Sequence, residues 1–235
     1  MQSSMPFVGQ GLAQAPASVG FHRTHLPISY VSMLGECETK YADAMFKKSS
    51  PTVAMKIGVA KHAELAQAMP KISKEDIIRD IKEGKAFGAR EIMVTDDRFK
   101  LKGRIDQLDL TGRRIGSKGE GIVIDDKFTK ITYDSIPLHY RIQLAAYAVA
   151  VGNSSDYGSL CEITGAKLVC RHRPSNVVRQ EFSVGREELE TWKSNIPLAA
   201  KVAWVLYDKK REPGHRRLDI GTGEWEKCQC GGIHK

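Results

Sequence analysis

The chain has 235 residues, 41% of them hydrophobic, enough to fill the core of one large domain or two small ones. Its net charge of +8 favours a polyanionic partner, nucleic acid first among them. No apolar run approaches the roughly 18–20 residues of a bilayer span, so no membrane-spanning helix is expected. Residues 1–20 lack the basic start and compact apolar stretch of a signal peptide, so a cytoplasmic protein with a flexible arm over 1–27 is expected. Five cysteines without a secretion signal (Cys37, Cys161, Cys170, Cys228 and Cys230) read as thiols or metal ligands rather than a disulfide framework.

In chain order, residues 28–48 predict one helix, because Tyr30, Met33, Leu34, Cys37 and Tyr41 recur at spacings of three and four. A second helix is predicted from about Val53 until before Pro70. A third opens at Ser73, with Asp76 completing a capping-box pattern, and stops near Gly84. The period then changes. Residues 90–112 hold two strand-like runs with a turn at Asp96–Asp97, and a turn-rich stretch leads into a further strand, "IVIDDKF". Residues 135–152 predict a helix with Pro137 in its first turn and Gly152 at its end. Two more strands follow, the first broken or turned at Gly165. A long helix comes next, irregular at Pro197, and then a polar, Gly-rich tail over 211–235 with little periodicity. Helices, a central sheet with an inserted helix and a closing helix predict a single α/β domain over 28–235.

Asp125, Asp126 and Lys127 stand at the end of an apolar strand, where an unpaired carboxylate is costly unless bound to a cation. Side chains alternate along a strand, so Asp125 and Lys127 share a face and Asp126 points away. A hairpin turning near residue 116 puts Asp106 opposite residues 125–126, where two carboxylates could converge on one Mg²⁺ or Mn²⁺. A surface hairpin with scattered charges is the alternative. Gln143 and Tyr147 lie four apart on the following helix, among apolar neighbours that carry both into a packed setting. His62 sits on the second helix. The basic side chains Arg104, Lys130 and Arg141 are expected phosphate contacts from charge and proximity.

Taken in order, Gly58-x3-His62, Gly103-x2-Asp106, Asp125-x-Lys127 and Gln143-x3-Tyr147 resemble the PD-(D/E)XK nuclease superfamily in its RecB-like branch. The resemblance covers residues 29 to about 150. The stretch "ISYVSMLGECETKY" is also similar to the opening of the CRISPR-associated exonuclease family, in which a Cys at the position of Cys37 joins three C-terminal Cys around a four-iron, four-sulfur cluster. Here two C-terminal cysteines stand, Cys228 and Cys230, so His234, Cys161 or Cys170 is left as the fourth ligand, with Zn²⁺ as an alternative occupant or no metal at all.

The resemblance implies a restriction-endonuclease-like core, a mixed central sheet flanked by helices, with N-terminal helices and a Cys-containing tail. It implies a metal-dependent DNA exonuclease acting on single-stranded or frayed ends. His62, Asp106, Asp125 and the Asp126 backbone carbonyl would be Mg²⁺ or Mn²⁺ ligands, Lys127 the catalytic lysine, and Gln143 and Tyr147 the accessory motif. A role in CRISPR spacer acquisition beside integration proteins follows from the same resemblance. A recombination or repair nuclease of a virus or mobile element would look the same, and a non-catalytic DNA-binding module of this fold is the rival from another class. Homo-oligomers remain open.

Overall fold

Alternating apolar residues from Ala86 to Thr129 build three long strands: β2 Ala86–Asp96, β3 Leu101–Ile115 and β4 Lys118–Thr129. They belong to a computed structural model that describes residues 23–47, 50, 52–68, 72–228 and 230. The β2–β3 turn forms where predicted, because Asp96, fully buried, accepts hydrogen bonds from the Arg98 and Phe99 N–H groups at 2.8 and 3.1 Å. The β3–β4 hairpin turns at residues 116–117, with Ile115 opposite Lys118, and its pairing runs to Gln107 opposite Ile124.

The sheet is mixed. β5 Cys161–His172 runs parallel to β4, and β6 Val178–Val184 closes the far edge antiparallel to β5. The predicted break at Gly165 is instead a register shift, and β5 runs through it unbroken. β1 Leu26–Pro27 pairs in parallel with Leu101 and Lys102 of β3. Leu26 is fully buried, so residues 26–27, expected to belong to a flexible arm, are part of the sheet; residues 1–22 lie outside the described residues. β2 holds one edge of β3, so β1 and β4 share the other. Residues 103–106 fall between the last partner of β1 and the first of β4.

The parallel β4–β5 pair needs a crossover, and α5 Leu138–Asn153 supplies it. Its Ile142, Leu144, Ala145 and Ala146 are fully buried, each large aliphatic contributing about 2 kcal/mol. Gly103 on β3 is needed where α5 crosses: a Cβ there would sit 2.7 Å from Tyr147 Cε1.

The helix predicted over 28–48 is broken. α1 Ile28–Val31 runs into a 3-10 turn, Ser32–Gly35, and α2 Glu38–Phe46 starts after an extended Cys37. Gly35 lies against the α5 backbone, where a Cβ would come within 2.5 Å of the His139 nitrogen. α3 Val53–Gln67 and α4 Lys74–Glu83 form as expected, the latter with the Ser73–Asp76 capping box in place. The closing helix divides at Asn195 into α6 Arg186–Ser194 and α7 Ile196–Tyr207, with Pro197 in the first turn of α7. The tail, read as aperiodic, carries a hairpin, β7 Arg216–Asp219 and β8 Glu224–Lys227.

Candidate active site

Asp125 is fully buried on β4. Lys127, two residues on and on the same face, puts Nζ 2.9 Å from Oδ1 and 2.7 Å from Oδ2. The bond to Oδ1 is the aligned one, and Oδ2 is left without a hydrogen-bond donor. Burial drives the Asp125 pKa upward against the pull of Lys127. Burial also works against the Lys127 ammonium, but Asp125 and Asp106 together outweigh it and raise its pKa. The ammonium lies 5.0 Å from the centre of the Tyr140 ring, within cation–π range.

Asp106 sits in the gap between β1 and β4. Where the β3–β4 ladder ends, the Asp126 N–H donates to Asp106 Oδ2 at 2.8 Å. Burial lifts the Asp106 pKa to about 6, opposed by Lys127 and by that hydrogen bond. From α3, His62 brings Nδ1 to 3.6 Å from Asp106 Oδ1, too long for a hydrogen bond, and this buried nitrogen has no partner. Its pKa is lowered, by burial first and Lys127 second, which favours the neutral imidazole that binds metals. The Phe128 ring holds the imidazole edge-on, with centroids 5.1 Å apart.

The Asp126 side chain, expected to point away, does so. It is fully buried, with Arg90 2.8 Å from Oδ2 and Arg171 2.6 Å from Oδ1. Its carboxylate therefore faces two guanidinium groups and not the cluster. Gln143 and Tyr147 are joined, Gln143 Nε2 donating to the Tyr147 hydroxyl at 3.1 Å, and both are buried. Burial and then Asp125 raise the Tyr147 pKa, so the phenol keeps its proton.

Of the three basic residues expected at phosphates, Arg104 lines a cavity of about 700 Å³ with His62, Arg90, Glu91 and Asp106. Arg141 is engaged elsewhere: Nε donates to the Ile136 carbonyl at 2.7 Å and the guanidinium lies over Trp192. Lys130 is exposed beyond the end of β4. One acid was missed. Glu91 on β2 offers a carboxylate oxygen that lies, with a donor atom from each of His62 and Asp106, in a group all within 4.8 Å of one another. Its backbone is left-handed, φ +58°, a strain of roughly 1–3 kcal/mol for a non-glycine residue.

A second cluster joins the chain ends. Cys37 Sγ lies 3.8 Å from Cys230 Sγ, and Cys230 Sγ lies 3.5 Å from His215 Nδ1. With Cys228, whose sulfur contacts that of Cys230, these four donors fall within 4.8 Å of one another. The fourth member is thus His215, which the sequence reading passed over. Cys161 and Cys170, the alternatives, are buried on β5 and not in this cluster, and His234 lies outside the described residues. Burial pushes the Cys161 thiol up to about 12, so it stays protonated. Glu38, next to Cys37, ties the tail down: it is fully buried and accepts from Arg211, Arg216 (2.9 Å) and the Gly214 N–H (2.8 Å).

No family model and no curated protein matches the sequence. Solved structures do. An alkaline exonuclease from Laribacter hongkongensis, LHK-Exo, superposes with a TM-score of 0.50 at 12% identity, over 80% of this chain and 90% of that one. The two chains share a fold. The same enzyme in complex with dAMP gives the same figures. A candidate exonuclease from Eubacterium rectale matches at 12% identity over 86% of this chain and 90% of that one, with a TM-score of 0.48.

Proposed function

We propose that the chain is a metal-dependent DNA exonuclease of the PD-(D/E)XK type, acting on single-stranded or frayed ends. The observation that carries this reading is the fully buried Asp125, paired with Lys127, near Asp106 and near His62, whose buried Nδ1 has no hydrogen-bond partner. Native proteins satisfy buried polar groups, and a buried His62 nitrogen without a partner, on a residue grouped with Asp106 and Glu91, suits a cation. The donor set, carboxylates and one imidazole, fits Mg²⁺ or Mn²⁺. A divalent ion held by His62, Asp106 and Asp125 would polarise a phosphodiester and make a water acidic enough to serve as nucleophile at neutral pH.

The chain's own residues supply the rest. The Lys127 ammonium, fixed by Asp125 and backed by the Tyr140 ring, would meet the negative charge that develops on the phosphate. Tyr147, held by Gln143, is a buried phenol kept as a hydrogen-bond donor. The fold shared with an alkaline exonuclease, solved also in complex with dAMP, supports DNA as the substrate. Trimming of DNA ends in CRISPR spacer acquisition is the biological role we attach to this activity, with viral recombination or repair as its competitor.

The Cys37, His215, Cys228 and Cys230 cluster, with its thiols reduced, offers three sulfurs and one nitrogen. This set suits a structural Zn²⁺ and can also ligate an iron–sulfur cluster. Metal analysis and visible absorbance of the purified protein separate the two.

The test of the main reading is digestion of end-labelled linear single-stranded DNA with Mn²⁺, with EDTA and Lys127→Ala as controls. Shortening that needs the metal and falls on the order of 10²-fold or more in the variant is the expected result. Intact DNA binding without cleavage would favour the non-catalytic module.

A further inference from the structure

Glu91 is the acid of the cleft with two competing attachments. Its carboxylate stands with His62 and Asp106. It is also ion-paired to Arg104, whose NH1 lies 3.2 Å from Glu91 Oε2 and whose side chain is 62% exposed. Both residues line the 700 Å³ cavity between α3 and the β2–β3 hairpin. The other described non-glycine residues with positive φ (Lys100, Asn176 and Lys209) lie in turns or loops, whereas Glu91 lies within a strand. Regular pairing resumes on either side, Arg90 opposite Gln107 and Ile92 opposite Ile105, so the distortion is local to this acid and re-aims one side chain. His62 Nδ1, buried without a hydrogen-bond partner and 3.6 Å from Asp106 Oδ1, belongs to a residue of the same donor group, an independent sign that something is to be bound there.

We propose that Glu91 is a donor to the divalent cation, and that loading the ion moves Glu91 from Arg104 to the metal and frees Arg104 to grip a phosphate of the bound strand. This rests on the cation site proposed above. An exposed Arg–Glu pair is weak and screened by salt. A hard dication among carboxylates and an imidazole competes strongly for the same oxygen. A released guanidinium presents a planar fork that matches phosphate oxygens in pairs. The metal-free chain thus holds its phosphate anchor closed, and the metal opens it.

The experiment uses the full chain in two steps. Mn²⁺ binding without DNA is measured by calorimetry for the wild type, Glu91→Gln, Arg104→Gln and Asp106→Asn, with thermal melts to confirm folding. Asp106→Asn should abolish binding and Glu91→Gln should weaken it on the order of ten-fold or more. Arg104→Gln should bind Mn²⁺ as tightly as the wild type or more tightly. Wild-type affinity in Glu91→Gln overturns the donor role, whereas wild-type affinity in Asp106→Asn overturns the cation site itself. Affinity for single-stranded DNA is then compared in Ca²⁺ and in EDTA. Arg104→Gln should lose affinity in Ca²⁺ alone; an equal loss in EDTA, or none in either, overturns the release of Arg104.

Discussion

Glu38 and Asp125 are both carboxylates with no exposed surface, and both face cations, yet their environments differ in kind. Glu38 accepts hydrogen bonds from two arginines and a backbone N–H, and although burial opposes it, these partners hold its pKa below the usual carboxylate value. Asp125 has one lysine, which hydrogen-bonds Oδ1 and leaves Oδ2 without a hydrogen bond, and burial wins: its pKa rises. A buried acid that is fully served fastens structure, here the tail onto α2. A buried acid left short of partners costs stability and marks a place where something else must bind.

The comparison breaks if the two acids respond alike to removal of charge. Glu38→Gln should destabilise the fold by about 3 kcal/mol, because Arg211 and Arg216 lose their anion, which for this length is a fall in melting temperature of roughly 6–12 °C. Asp125→Asn, melted in EDTA, should cost clearly less while cutting DNA cleavage on the order of 10²-fold. The reverse order in the melts would remove the distinction drawn here. His215→Ala should lower the metal content of the tail cluster and leave the Mn²⁺ affinity of the cleft unchanged, since the two sites share no residue. The smallest effect is expected far from both acids: Ser73→Ala removes the hydroxyl that caps α4 and should cost about 1 kcal/mol by denaturant titration, with activity untouched.

Much of the cleft was legible because its parts are local. The hairpin turn at residues 116–117 sets the β3–β4 register, so Asp106 and Asp125 stand just past the last pair, Gln107 with Ile124, as sequence spacing already implies. Lys127 shares a face with Asp125 by alternation, and Gln143 reaches Tyr147 by the helical repeat. Glu91 could have been found the same way. With the turn after Asp96 located, pairing of Asp96 with Leu101 carries Glu91 opposite Asp106.

The sequence by itself determined what depends on neighbours within a few residues or across one tight turn: strands and helices by their periods, the α4 cap, and the Asp-x-Lys face. Only the tertiary structure decided what depends on distant backbone meeting backbone. Gly35 packs against the His139 backbone where the first helix breaks, and the extended Cys37 that follows lies against the tail. Glu38 then draws in Arg211 and Arg216, and this brings His215, with no local signal of its own, to the cysteines. Residues separated by nearly the length of the chain meet through packing and charge, and no period in the sequence records that.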